Sequence, residues 1–387
     1  MSLVNLLGRT LIISAVTQAS RIAGLFIIAR YAEKTTYAEY AHVLTVLQLL
    51  NILKEYGVRE HYMAQSRFTR NNESWFWHVD LVRIIFVLLA SYFWLVLIDN
   101  RLQAFLMILP AIVIEIISSK KELLIYRQRR LNVLASLDLV SALGLLIGTG
   151  FAILLNESYL LLGYSLSIVA RTLYLNSLTG VSNYLKIQPQ SNYRFLSVGI
   201  WLYISAICYA VLHRADKVVL YERLSNDEFA DYIFAYSVLF QVLSATSYMT
   251  NYVDRSVATG RLNIYEGVKI LGAVVLSVLV SLNLLLPYAA SLLFGEKWES
   301  AYGYFPYFSV FFFFNRIRFY SLYYKKNAAY LKSAVDILQA ACYIFGLAIL
   351  SYWSGLNVHS LLGSLCVSAI IGSILWWLFL VRVSDES

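Results

Sequence analysis

Charged side chains set inside long apolar runs are the residues of this sequence most able to do chemistry. Arg21, Arg83, Glu115, Asp138 and Arg171 interrupt such runs in the first half of the chain, and Arg214, Asp216, Lys217 and Asp336 in the second. A charge placed within a membrane span is costly and faces a protein interior or an aqueous cavity. Two chemistries fit these residue types. Opposite charges on neighbouring helices, such as Arg83 with Asp138 or Arg171 with Glu115, lock a bundle together as ion pairs. An arginine lacking an acidic neighbour offers instead a permanent, forked cation to a phosphate or carboxylate. Arg21 meets that condition on its own helix. Arg83, Arg171, Arg214 and Lys217 complete the candidate cavity cations, with Asp216 beside Lys217 offsetting part of the charge. Glu115, Asp138 and Asp216 are candidate coupling carboxylates, because burial and a neighbouring arginine pull the protonation of a carboxyl group in opposite directions. Among 30 tyrosines, Tyr203, Tyr209, Tyr236 and Tyr248 are candidate sugar contacts, each with a stacking face and a hydroxyl; most of the others are expected as interfacial anchors or packing.

The elements that must position these groups follow from composition. Hydrophobic residues make up 59% of the 387-residue chain and charged residues 14%. Soluble domains carry roughly 45–50% and about 25%. Too little polar surface remains to coat a water-soluble core, so lipid is the coat. A bilayer core needs about 20 helical residues per crossing. Apolar runs of that kind fall at about 9–31, 40–58, 76–98, 102–119, 133–155, 158–180, 195–221, 229–252, 266–289, 301–322, 332–353 and 358–381. The first lacks a small-residue cleavage site and reads as a retained helix. The expected architecture is therefore an all-α polytopic membrane protein of about twelve transmembrane helices.

The net charge of +8 has a topological explanation. With the N-terminus in the cytoplasm, the inner segments hold 20 Lys and Arg, from Arg9 through Arg316, Arg318 and Lys332 to Arg382. The outer segments hold only four: Lys34, Arg101, Arg223 and Lys297. That bias matches the positive-inside rule with both termini cytoplasmic. Nucleic acid is not needed to account for the basic excess. On this topology Arg21 lies near the midplane, Arg83, Glu115, Asp138 and Arg171 from mid-depth to the inner side, and Arg214, Asp216 and Lys217 in the outer part of their helix.

An internal repeat divides the chain. Tyr37-Ala38-Glu39-Tyr40 returns as Phe229-Ala230-Asp231-Tyr232, 192 residues later, since 229 − 37 = 192. Arg21 and Arg30 are nine apart, as are Arg214 and Arg223; Gln48 and Gln241 follow at corresponding places. Two six-helix lobes in a parallel pseudo-repeat would produce this. The expected domains are an N-terminal lobe over 1–182, a cytoplasmic linker over 183–194 and a C-terminal lobe over 195–387.

Enzyme signatures are missing. There is no Walker loop, HExxH, GxSxG or CxxC. The histidines His42, His61, His78, His213 and His359 are scattered, and Cys208, Cys342 and Cys366 all lie in apolar runs. No metal, cofactor or disulfide framework is expected, and the chain by itself is no ATP-driven pump.

Four stretches resemble bacterial polysaccharide exporters of the Wzx type, within the multidrug/oligosaccharidyl-lipid/polysaccharide superfamily. They are Arg21-Ile-Ala-Gly-Leu-Phe-Ile-Ile-Ala-Arg30-Tyr with Tyr37-Ala-Glu-Tyr-Ala; Leu53-Lys-Glu-Tyr-Gly57-Val-Arg59-Glu; Arg214-Ala-Asp216-Lys217-Val-Val-Leu with Phe229-Ala-Asp-Tyr232-Ile-Phe-Ala-Tyr236; and Leu292-Leu-Phe-Gly295-Glu-Lys-Trp298. The resemblance implies a flippase in the bacterial inner membrane. It would move undecaprenyl-diphosphate-linked oligosaccharide repeat units, of O-antigen or a related surface polysaccharide, to the periplasmic leaflet by alternating access, coupled to ions by proton antiport. Arg21 and the inner cluster would hold the diphosphate, Arg214 and Lys217 would receive it on the outer side, and tyrosines would contact sugar. The partners implied are the lipid-linked glycan, membrane lipids, a polysaccharide polymerase and a chain-length regulator. The alternatives are a multidrug exporter of the same fold, which calls for a carboxylate-dominated cavity, and a membrane-embedded polymerase or acyltransferase.

Overall fold

The computed structural model describes residues 3–55, 85–127, 131–179, 195–258, 260–318, 329–354 and 357–385. All regular elements among them are helical. They are α1 (Leu3–Tyr31), α2 (Lys34–Glu55), α3 (Ile85–Ile98), α4 (Leu102–Arg127), α5 (Leu131–Leu155), α6 (Leu160–Thr179), α7 (Phe195–Ala210), α8 (Asp216–Arg223), α9 (Asn226–Ser244), α10 (Ser247–Ala258), α11 (Ile264–Phe294), α12 (Phe305–Arg316), α13 (Ala329–Ser354) and α14 (Val358–Asp385). The chain divides into two compact units, Met1–Ile200 and Trp201–Ser387.

The stretches Ala135–Leu155, Ile264–Tyr288, Tyr330–Leu350 and Val358–Leu380 are each long and apolar enough to cross a bilayer. Their surfaces are apolar as well: Leu154 is 83% exposed and Tyr288 85%. Contiguous apolar surface of this kind would be a liability in water and is the ordinary coat of a protein in lipid. The chain is a multi-pass membrane protein.

Lipid tails are as apolar as leucine, so helices in a bilayer associate by close packing and polar contacts. In the first unit, Gly144 and Gly148 on α5 face α6. A Cβ built on Gly148 falls 2.7 Å from the Cα of Gly163, so only glycine lets the two backbones approach this closely. Hydroxyl bonds between helices add to this packing. Ser165 donates to the Met107 carbonyl at 2.5 Å. In the second unit, Ser333 donates to the Trp201 carbonyl at 2.6 Å and Ser373 to that of Phe314 at 2.7 Å.

Local sequence sets the helix starts. Ser225 and Glu228 form a capping box at the head of α9: the Ser225 hydroxyl accepts from the Glu228 N–H and the Glu228 carboxylate from the Ser225 N–H, both at 3.3 Å. Asn263 and Glu266 do the same for α11. Gly295, at φ +90°, turns the chain out of α11 into a 3₁₀ stretch, Glu296–Tyr304, and there Trp298 is fully buried with its ring stacked 4.3 Å from Phe234. The run expected to span 229–252 is two helices, broken after Ser244. The Thr246 hydroxyl donates to the Leu243 carbonyl at 2.7 Å there, a local bond that competes with the helical ladder. The two members of the repeat occupy one register. Tyr37 and Phe229 are each the fourth residue of their helix, α2 and α9, and each is buried with the alanine that follows.

Candidate functional site

The chemistry-bearing residues of the second unit gather on one irregular turn. Between α7 and α8 the chain runs through a π-helical turn, Val211–Ala215, which carries His213 and Arg214. Such turns re-aim side chains that a regular helix would hold elsewhere. His213 is buried. Its ring stacks on Tyr209 with centroids 4.2 Å apart, and its Nδ1 is 3.0 Å from the Tyr236 hydroxyl. Beyond the turn, Lys217 points back under it. The ammonium donates to the His213 carbonyl at 2.7 Å and to both Asp216 oxygens at 3.1 and 3.2 Å, and sits 3.8 Å from the centroid of the Tyr236 ring. The Tyr232 hydroxyl donates to the same carboxylate. Lys217 and Asp216 are thus satisfied by each other and by their cage.

Arg214 is not. It is half-buried, its Nε is enclosed without a partner, and it makes no hydrogen bond or ion pair among the described residues. Arg214 follows His213 directly and Lys217 bonds its carbonyl, while Asp216 is the acid within the cage. Cations therefore exceed acids around this turn.

Arg21 is the corresponding case in the first unit. It is half-buried on α1 and makes no hydrogen bond or ion pair among the described residues. One turn before it, the Gln18 carboxamide oxygen is also enclosed without a partner. The same holds for the carboxamide oxygens of Gln48 on α2 and Gln241 on α9, the two repeat-related glutamines.

The other expected site residues divide. Arg171 pairs with Asp138 across α6 and α5 at 3.5 Å, with 23% and 40% of their side chains exposed. This ion pair joins α5 to α6. Tyr236 is spent on His213 and Lys217, Tyr209 is 45% exposed, and Tyr203 is half-buried on α7. Arg83 lies outside the described residues, as does the expected linker 183–194. Glu115 and Tyr248 are placed only as positions on α4 and α10.

Two inner-segment charges are engaged by acceptors. Arg318, two residues past the end of α12, is 3% exposed. Its guanidinium donates to the Phe314 carbonyl at 3.0 Å, the Ser373 hydroxyl at 3.0 Å, the Gln339 amide oxygen at 2.5 Å and the Ala369 carbonyl at 2.8 Å, joining α12, α13 and α14. Lys332 lies within α13, where it pairs with Asp336 at 2.7 Å and also donates to Ser205 on α7. Both side chains found acceptors that a one-dimensional loop count does not see. Two polar features were missed altogether. Buried His42 on α2 bonds Asp99 at 2.8 Å, 57 residues away, and the buried His213 ring packs between Tyr209 and Phe311. A signal for His213 was present, since Tyr209, His213 and Lys217 follow at four-residue spacing on one helical face. Among the described residues no cluster of metal-ligating side chains occurs, and the three cysteines are unpaired.

No family model matches this sequence, and no curated protein matches it significantly. Solved structures do match its fold. An inward-facing multidrug resistance MATE family transporter of the MOP superfamily superimposes with a TM-score of 0.72 at 13% identity, covering 97% of this chain and 99% of that one. The lipid II flippase MurJ, in an inward closed conformation, gives 0.71 at 15% identity over 96% and 87%. The fold is that of MOP superfamily transporters. A MOP transporter from Pyrococcus furiosus, described by the reverse polarity of its binding pocket and a different function suggested from it, gives 0.55 at 12% identity over 97% and 94%. These neighbours are transporters and flippases rather than enzymes, and the matches extend over nearly the whole chain.

Proposed function

We propose that this protein is a flippase of the bacterial inner membrane that carries undecaprenyl-diphosphate-linked oligosaccharides, of O-antigen or a related surface polysaccharide, to the periplasmic leaflet by alternating access, with ion coupling. One observation carries the reading: Arg21 and Arg214, half-buried in apolar helices, have no acidic partner among the described residues. A cation left unpaired in lipid is costly. Occupation by an anionic headgroup removes that cost during each cycle, and a diphosphate accepts the two-pronged bonds that guanidinium donates. The fold alone accommodates a multidrug exporter and a lipid flippase equally, since a MATE transporter and the lipid II flippase MurJ match it almost identically. The charge pattern supports the flippase reading. A site for cationic drugs needs uncommitted carboxylates, whereas Asp138 is paired with Arg171 and Asp216 with Lys217.

The test is a deletion strain complemented with wild type, Arg21→Ala, Arg214→Ala and the two arginine-to-lysine forms. Lipid-diphosphate-linked repeat units should accumulate in the inner leaflet with both alanine variants, and lysine should restore part of the export. Surface polysaccharide that persists at wild-type level in the deletion strain, with no second flippase gene present, sinks the proposal.

A further inference from the structure

The first unit holds a second candidate site, whose lining does not include Arg21. The head of α2, the α3–α4 turn with the start of α4, and the α5–α6 turn with the start of α6 together enclose a cavity of about 740 Å³. On the topology of the basic residues this is the periplasmic end. Its volume lies within the range of small-molecule sites, which are mostly apolar with a few convergent polar groups.

The one cation in its lining is engaged. Arg101 pairs with Glu39 at 3.6 Å, and the Glu157 carboxylate accepts the Glu33 N–H at 2.7 Å. A free phosphate therefore meets no spare cation here, and two carboxylates against one cation repel it. The remaining polar side chains of the lining are neutral. Asn100 and Gln103 line the cavity, are exposed, and make no hydrogen bond among the described residues. Asn100 is moreover held at φ +55°, the one non-glycine residue with positive φ among those described. Asparagine tolerates that conformation better than most residues, and here it places a carboxamide on the cavity rim. Tyr40 adds an aromatic ring to the same lining, with Val43, Met107 and Leu161. Carboxamides give paired donors and acceptors that match adjacent hydroxyl groups. The ring and the aliphatic side chains match the apolar face of a sugar.

We propose that this cavity binds the uncharged glycan portion of the transported molecule as it reaches the outer side, a role that rests on the flippase reading and adds a binding site in the first unit to it. The diphosphate is held by arginine within the spans, and the sugars are drawn to the amide-rimmed cavity.

The experiment uses the full chain in lipid nanodiscs and three soluble probes: the repeat-unit oligosaccharide hydrolysed free of its diphosphate lipid, inorganic pyrophosphate and tetraphenylphosphonium. The oligosaccharide should bind, and Asn100→Ala with Gln103→Ala should weaken it about tenfold through the loss of two hydrogen-bonding groups. Melting temperature should not move, since both side chains are exposed. Absence of oligosaccharide binding at millimolar concentration overturns the proposal, as does binding indifferent to the double variant, or pyrophosphate or tetraphenylphosphonium binding that the double variant abolishes. Oligosaccharide binding without lipid flipping would retain the cavity and remove the flippase; flipping without oligosaccharide binding would do the reverse.

Discussion

The Lys217 ammonium lies 3.1 Å from the Asp216 carboxylate, and the two side chains are 1% and 0% exposed. A buried pair of this kind adds little over a well-packed apolar pair, but losing one partner strands the other. Lys217→Met should therefore destabilise the protein by about 3 kcal/mol. Asp216→Asn should do the same. The double variant should recover more than half of the loss, because no charge is then left uncompensated. Thermal unfolding in detergent, measured across the double-mutant cycle, checks this. If each single variant unfolds like wild type, the cage around Lys217 is not closed.

Gly148 gives a sharper geometric prediction. A single methyl group there meets the Gly163 backbone at 2.7 Å, so α5 and α6 must separate. Gly148→Ala should cost about 1–3 kcal/mol, as overpacking does. Gly272→Ala on α11 is the matched control: nothing lies within 4 Å of its built Cβ. Helix propensity favours alanine over glycine by about 1 kcal/mol, so that variant should be neutral or stabilising. Melting temperatures of the two variants side by side decide the matter. Equal behaviour would show that the α5–α6 contact is looser than the structure has it.

Some of this was legible from residue order and some was not. The helical class, the membrane and the repeat register followed from apolar run lengths and from the Tyr37 and Phe229 tetrapeptides, because these depend on local spacing. Arg21 and Arg214 were legible as singular cations because each interrupts an apolar run. Pairing was not legible. Arg171 and Asp138 are 33 residues apart, and His42 and Asp99 57 apart, and only the folded bundle brings each pair together. The cavity between three turns was invisible for the same reason, its lining being drawn from three separate short segments. The glycines of the α5–α6 contact stand four apart, at 144 and 148, a small-residue spacing that could have been read as a close helix crossing.

Arg318 supports a last prediction, and it separates a loop charge from a packed one. A basic residue in a cytoplasmic loop acts through its charge, so lysine should replace it and alanine should weaken only the topological bias. A guanidinium bonded to four acceptors on three helices acts through its shape. Lysine carries the charge but not the planar fork, and it cannot reach the same acceptors together. Arg318→Lys should therefore be nearly as damaging as Arg318→Met, each losing about 1–3 kcal/mol through buried acceptors left without donors. Gln339→Leu, which removes the acceptor nearest the guanidinium, should be partly non-additive with Arg318→Met, because the two share one network. Unfolding midpoints of the single and double variants measure this. A lysine variant as stable as wild type would return Arg318 to the role of a loop charge.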